Sequence, residues 1–160
     1  MKRLVLLLCG AVLVALTAVS AASATNPHFL SAKAAVDSGG NLVCSFKEAG
    51  LGDVPTVSIS CSADATAVYA CINGGNNHPK AANKETVNGP VSGSGEFPVR
   101  NGQTTGSITV GPPGAGAFAC PSGQRLVLAS VCYANVTLTG LNGDSAVAEP
   151  NPACRVFFDI

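Results

Sequence analysis

Aromatic side chains are scarce in this sequence: it has no Trp, six Phe and two Tyr. That leaves little material for stacking platforms that grip single-stranded nucleic acid, or for the aromatic-lined cleft of a glycosidase. Charge is scarce too. Asp, Glu, Lys and Arg make up 11% of the 160 residues, against roughly 25% in an ordinary globular chain. A charge-driven disordered tail and a strongly basic nucleic-acid binder are both excluded. Catalytic signatures are missing as well. No serine has Gly both two residues before and two after it, so there is no nucleophile elbow, and no GxxxxGK[ST] phosphate loop occurs. Of the two histidines, His28 lies near the chain start and His78 sits in a polar stretch with no acid beside it. Their ordinary reading is structural. The nine carboxylates are scattered, with no acidic pair in a motif.

What is present begins with an exported-protein leader. Lys2 and Arg3 precede an apolar run from Leu4 to Val19, and Ala22-Ser23-Ala24 fits a small-x-small cleavage site. The run is too short for a membrane span and is followed by small residues rather than basic ones. Residues 1–24 therefore read as a signal peptide and 25–160 as a single secreted domain. Cys9 lies inside the apolar run after Leu6-Leu7-Leu8 and does not form a lipoprotein motif. No later lipidation or retention signal argues for a membrane anchor. Removing 24 of 160 residues leaves 136, with seven basic residues against nine acidic ones, a net charge of −2.

The hydrophobic period along the remaining chain is two. Leu42, Cys44 and Phe46 alternate with Val43, Ser45 and Lys47, and Val57, Ile59, Cys61 and Ala63 with serines. A long run places Leu126, Leu128, Ser130, Cys132, Ala134, Val136 and Leu138 on one face and Tyr133, Asn135 and Thr137 on the other. Gly and Pro break the chain every few residues, and Ser38-Gly39-Gly40-Asn41, Asn101-Gly102 and Asn142-Gly143-Asp144 read as turns. The pattern predicts strands over 28–36, 41–48, 55–63, 65–72, 86–99, 104–110, 124–139 and 153–160. Helix is confined to one turn around Pro79–Lys84. Seven or eight such strands make an all-β, immunoglobulin-like β-sandwich.

Six cysteines remain after the leader: Cys44, Cys61, Cys71, Cys120, Cys132 and Cys154. An even number in an exported chain reads as three disulfides. Metal binding is excluded by spacing, because no pair resembles CxxC and neither His has a Cys nearby. An N-terminal copper site fails as well. Cleavage after Thr25 would place Pro27 second, where a backbone N–H is required. Asn142 and Asp144 resemble the start of a calcium loop but lack its later ligands. No cofactor is implied. If the segments around Cys61–Cys71 and Cys120–Cys132 lie antiparallel, Cys71 pairs with Cys120 and Cys61 with Cys132. The alternative is two local loops, Cys61–Cys71 and Cys120–Cys132. Either leaves Cys44 with Cys154.

One segment stands out as a candidate binding loop: Asn73 to Lys84, long and amide-rich, carrying His78, Lys80, Asn83 and Lys84. The bland alternative is a solvated connection stapled at its base. Gly111-Pro-Pro-Gly-Ala-Gly116 is a second surface loop, and Asn135-Val-Thr137 is a glycosylation sequon, meaningful only in a eukaryotic host.

The runs Ser45-Phe-Lys-Glu-Ala-Gly-Leu-Gly52, Cys71-Ile-Asn-Gly-Gly…Pro79-Lys-Ala-Ala-Asn-Lys84 and Phe118-Ala-Cys-Pro-Ser-Gly-Gln124 resemble small secreted actinomycete proteins with no assigned activity. The resemblance spans most of the domain and brings no catalytic residues. It implies that Cys71 and Cys120 form the basic pair. The composition is also similar to that of actinomycete apo-chromoproteins, immunoglobulin-like sandwiches that hold an apolar ligand, a likeness of fold class alone. The expectation is a secreted binding or structural protein without catalytic activity, its extracellular partner or ligand unknown. The alternatives are a proteinase inhibitor using a disulfide-braced loop, or a carrier of a small apolar ligand. An extended, convex 111–119 segment would favour the inhibitor. The absence of Trp weakens a carbohydrate-binding reading.

Overall fold

The computed structural model describes residues 26–73 and 83–160. The proposed leader, the helical turn around Pro79–Lys84 except its last two residues, and the candidate residues His78 and Lys80 lie outside them. Within the described residues the chain is all-β, with eight strands in two antiparallel sheets. They are β1 (His28–Val36), β2 (Leu42–Ala49), β3 (Thr56–Asn73), β4 (Lys84–Pro98), β5 (Gln103–Val110), β6 (Gln124–Thr139), β7 (Ser145–Val147) and β8 (Ala153–Val156). One sheet has the order β1-β2-β5 and the other β4-β3-β6-β7, with β8 sharing the outer edge of β6.

The predicted strands are largely present. The two expected over 55–63 and 65–72 are one continuous strand, β3, and β7 went unforeseen because three residues are too few to show a period. The turns work as their sequences require. Asn101 and Gly102 both have positive φ, 51° and 69°, which a two-residue hairpin needs and which Asn-Gly tolerates. That hairpin carries the chain from the five-stranded sheet into the three-stranded one. In the β1–β2 turn Asp37 Oδ1 accepts from the N–H groups of Gly39 and Asn41 at 2.8 and 2.9 Å.

The two sheets bury their facing sides. Leu42, Cys44 and Phe46 of β2 meet Val57, Ile59, Cys61, Ala63, Ala65 and Ala67 of β3 in one core with Ile108, Val110, Val131, Tyr133, Val136 and Leu138. Phe46 sits edge-on between Phe29 and Phe97, with centroids at 6.3 and 4.8 Å. The segment between β7 and β8 joins the sheets at one side. Ala34 N–H donates to Glu149 O and Ala148 N–H to Val136 O, each at 2.9 Å.

The long run 124–139 is corrected by two β-bulges. Ser62 opposes Thr137 but Asp64 opposes Ala134, and Val68 opposes Ser130 while Tyr69 opposes Leu128. Both extra residues therefore belong to β6, and each switches which parity faces the core. Val131 and Tyr133 are buried before Asn135, and Val136 and Leu138 after it. Tyr133, expected outside, is completely enclosed.

The disulfides are Cys44–Cys61, Cys71–Cys120 and Cys132–Cys154. The Cys71–Cys120 pair is as the resemblance implied. Cys44 does not pair with Cys154, nor Cys61 with Cys132. Although β3 and β6 are antiparallel neighbours, their register sets Cys61 opposite Leu138 and Cys132 opposite Thr66. Cys61 instead faces inward across the core to Cys44, with Cα atoms 6.4 Å apart. Cys132 lies directly opposite Cys154 on β8.

Candidate functional site

The end of the molecule that carries the amide-rich segment is built from the tips of β3 and β6. Cys71 is the hinge of this end. Its sulfur joins Cys120, with Cα atoms 5.5 Å apart, and its N–H donates to Asn83 O at 3.1 Å. The base of the 73–84 segment is thus fixed beside the 111–123 loop. Asn83 and Lys84 are exposed there. The loop itself is tied twice more: Tyr69 donates its hydroxyl to Pro113 O at 2.8 Å, and Phe118 N–H turns back to Ala115 O at 3.1 Å. Burial raises the Tyr69 phenol above its ordinary range, so it stays a donor at neutral pH.

Beside this end lies an apolar groove of about 380 Å³. Val127, Leu128, Phe157 and Phe158 line it, with Arg125 and the Ser38–Gly39 turn at its rim. The outer faces of β3 and β6 carry a second small cluster, Ala70, Ile72, Val127 and Ala129, against which Phe158 and Ile160 pack. The Arg155 guanidinium stands 5.4 Å from the Phe157 ring centroid and donates to Val36 O at 3.1 Å. Sequence reading missed both Tyr69 and this groove. The adjacent Phe157-Phe158 pair was the available signal.

Acidic chemistry is concentrated at one buried point. Glu48, on β2, is fully enclosed. Its Oε1 accepts from Leu141 N–H at 3.1 Å, while Oε2 has no hydrogen-bond partner among the described residues. Gly140 makes room for it, since a Cβ there would overlap the carboxyl group. Burial pushes the Glu48 carboxyl up, and the nearby Asp144 charge adds to that. The His28 charge acts in the opposite direction on Glu48. The His28 Nδ1 donates to Asn26 O at 2.9 Å. Among the described residues no group of three or more His, Cys, Asp or Glu side chains is placed to hold a metal.

No protein-family model, curated protein or solved structure matches this chain.

Proposed function

We propose that this chain is an exported extracellular binding protein of immunoglobulin-like sandwich type, which engages its partner through the loop end around Cys71 and Cys120. One observation carries the reading. Cys71 ties two separate loops, 73–84 and 111–123, to the tip of a rigid strand through a disulfide and a backbone hydrogen bond. Loops held on such a scaffold bind with less loss of conformational entropy than free ones. The sheet orders β1-β2-β5 and β4-β3-β6-β7 support the immunoglobulin-like type, with the fourth strand sitting on the second sheet. Three disulfides fit an oxidising, extracellular setting, and no described helix is long and apolar enough to cross a membrane.

The inhibitor reading has less support. Its loop would need to stand clear of the body, whereas the Pro113 carbonyl is held by Tyr69. Carriage of a small apolar ligand draws support from the groove between Val127 and Phe157.

The test is replacement of His78, Lys80, Asn83 and Lys84 together by Ala. Partners captured from the culture medium by the wild-type protein should be lost, with stability changed by less than about 1 kcal/mol. A variant that folds and keeps every partner would remove the loop end from the reading. Co-purification of an apolar molecule displaced by Phe157→Ser would favour the carrier.

A further inference from the structure

The outer face of the five-stranded sheet carries a polar arrangement that the loop-end reading does not use. Its rows run across three strands. Ser62 lies opposite Ser92 on β4 and Thr137 on β6, and Ser60 opposite Ser94 and Thr139. Thr139 in turn faces Ser145 of β7. Next to these hydroxyl rows, Asp64 lies opposite Pro90, and Thr66 opposite Asn88.

The β6 bulge completes the arrangement. Asn135 holds φ 54°, a left-handed conformation that Asn tolerates better than other non-glycine residues. The extra residue brings Asn135 to the solvent side, where its Nδ2 donates to Asp64 Oδ2 at 2.8 Å. Thr137 Oγ1 donates to Asn135 O at 3.1 Å across the same turn. By valence, Asp64 keeps acceptor capacity and Asn135 keeps an acceptor oxygen and a second N–H. Thr66 Oγ1 occupies Asn88 Oδ1 at 2.7 Å, which leaves the Asn88 amide hydrogens to donate. Ser62, Asp64, Pro90, Ser92 and Asn135 border one depression of about 400 Å³.

We propose that this depression is a saccharide site, taking one ring of a neutral glycan that runs on across the hydroxyl rows. The lining residues include no Lys, Arg or His, so nothing there compensates an anionic ligand. The carboxylate–amide pair and the paired hydroxyls offer both acceptors and donors to the hydroxyls of a sugar. The exposed Pro90 ring offers aliphatic surface to the C–H face of a sugar in place of an aromatic plate. The site is separate from the Cys71–Cys120 end and stands or falls independently of it.

The experiment is amide-resolved NMR titration of the full domain with cellobiose, maltose and diacetylchitobiose at millimolar concentrations. One of the three should shift amides confined to 62–66, 88–92 and 134–137. Asp64→Asn, which keeps the side-chain shape, and Asn135→Gly, which keeps the positive φ, should each weaken that binding by about tenfold, the loss expected for a hydrogen bond to a charged group. Asn83→Ala with Lys84→Ala should leave it unchanged. No shifts with any of the three sugars, shifts elsewhere on the surface, or undiminished binding by both folded variants would overturn the proposal.

Discussion

Two buried side chains make stability fall as pH rises, each in its own pH window. Tyr133 is fully enclosed and donates its hydroxyl to Gly40 O at 2.7 Å, linking β6 to the β1–β2 turn. Burial pushes its phenol up to about 12. An unfolded Tyr ionises near pH 10, so between about pH 10 and 12 the unfolded chain holds fewer protons and stability falls as pH rises. Tyr133→Phe should remove part of that decline in alkaline denaturant titrations. At neutral pH it should cost about 1–3 kcal/mol, because the Gly40 carbonyl loses its donor. Glu48 is also raised by burial, and an acid so raised favours the folded state when protonated. Its contribution is present at low pH and is lost as pH climbs from the ordinary Glu range through the raised folded value. Glu48→Gln should therefore raise Tm at pH 7, and the gain should vanish toward about pH 4, near the ordinary Glu value.

At the scale of elements, β6 governs the packing. The bulge at Asn135 is what allows Val131 and Tyr133 on one side of it, and Val136 and Leu138 on the other, to share a single core. Deleting Asn135 would restore simple alternation and throw either the preceding or the following apolar pair out of the core. The expected outcome is loss of cooperative thermal unfolding. Asn135→Gly should fold normally. Asn135→Val should cost about 1–2 kcal/mol, since a β-branched residue is strained at positive φ. Denaturant midpoints of the three variants check this order.

The whole molecule is stapled in three different ways. Cys44–Cys61 crosses between the sheets inside the core, Cys132–Cys154 joins neighbouring strands, and Cys71–Cys120 anchors a loop. Peptide mapping should recover these pairs. With sequence separations of 17, 49 and 22 residues, each closes a loop whose constraint contributes about 3–4 kcal/mol in the chain-entropy model. Replacing Cys71 and Cys120 by Ala should leave the core's near-UV signature while speeding hydrogen exchange of the Ala115–Phe118 turn. Replacing Cys44 and Cys61 should also disturb the core, because both are fully buried where the sheets meet.

The alternation of apolar residues and the placement of Asn-Gly and Gly-Gly turns were enough to determine an all-β chain and most strand positions, because both are local consequences of backbone sterics. Asn83 and Lys84 were likewise legible as exposed residues, although Lys84 opens β4 rather than lying in a loop. Disulfide partners were not, because pairing depends on register between strands distant in sequence. Two bulged residues, invisible to a period-two reading, displaced that register and turned Tyr133 inward. The Asp64–Asn135 pair and the buried Glu48 lay hidden for the same reason. Each is made by side chains far apart in the chain, and only the closing of two sheets over one core decided which of them would meet.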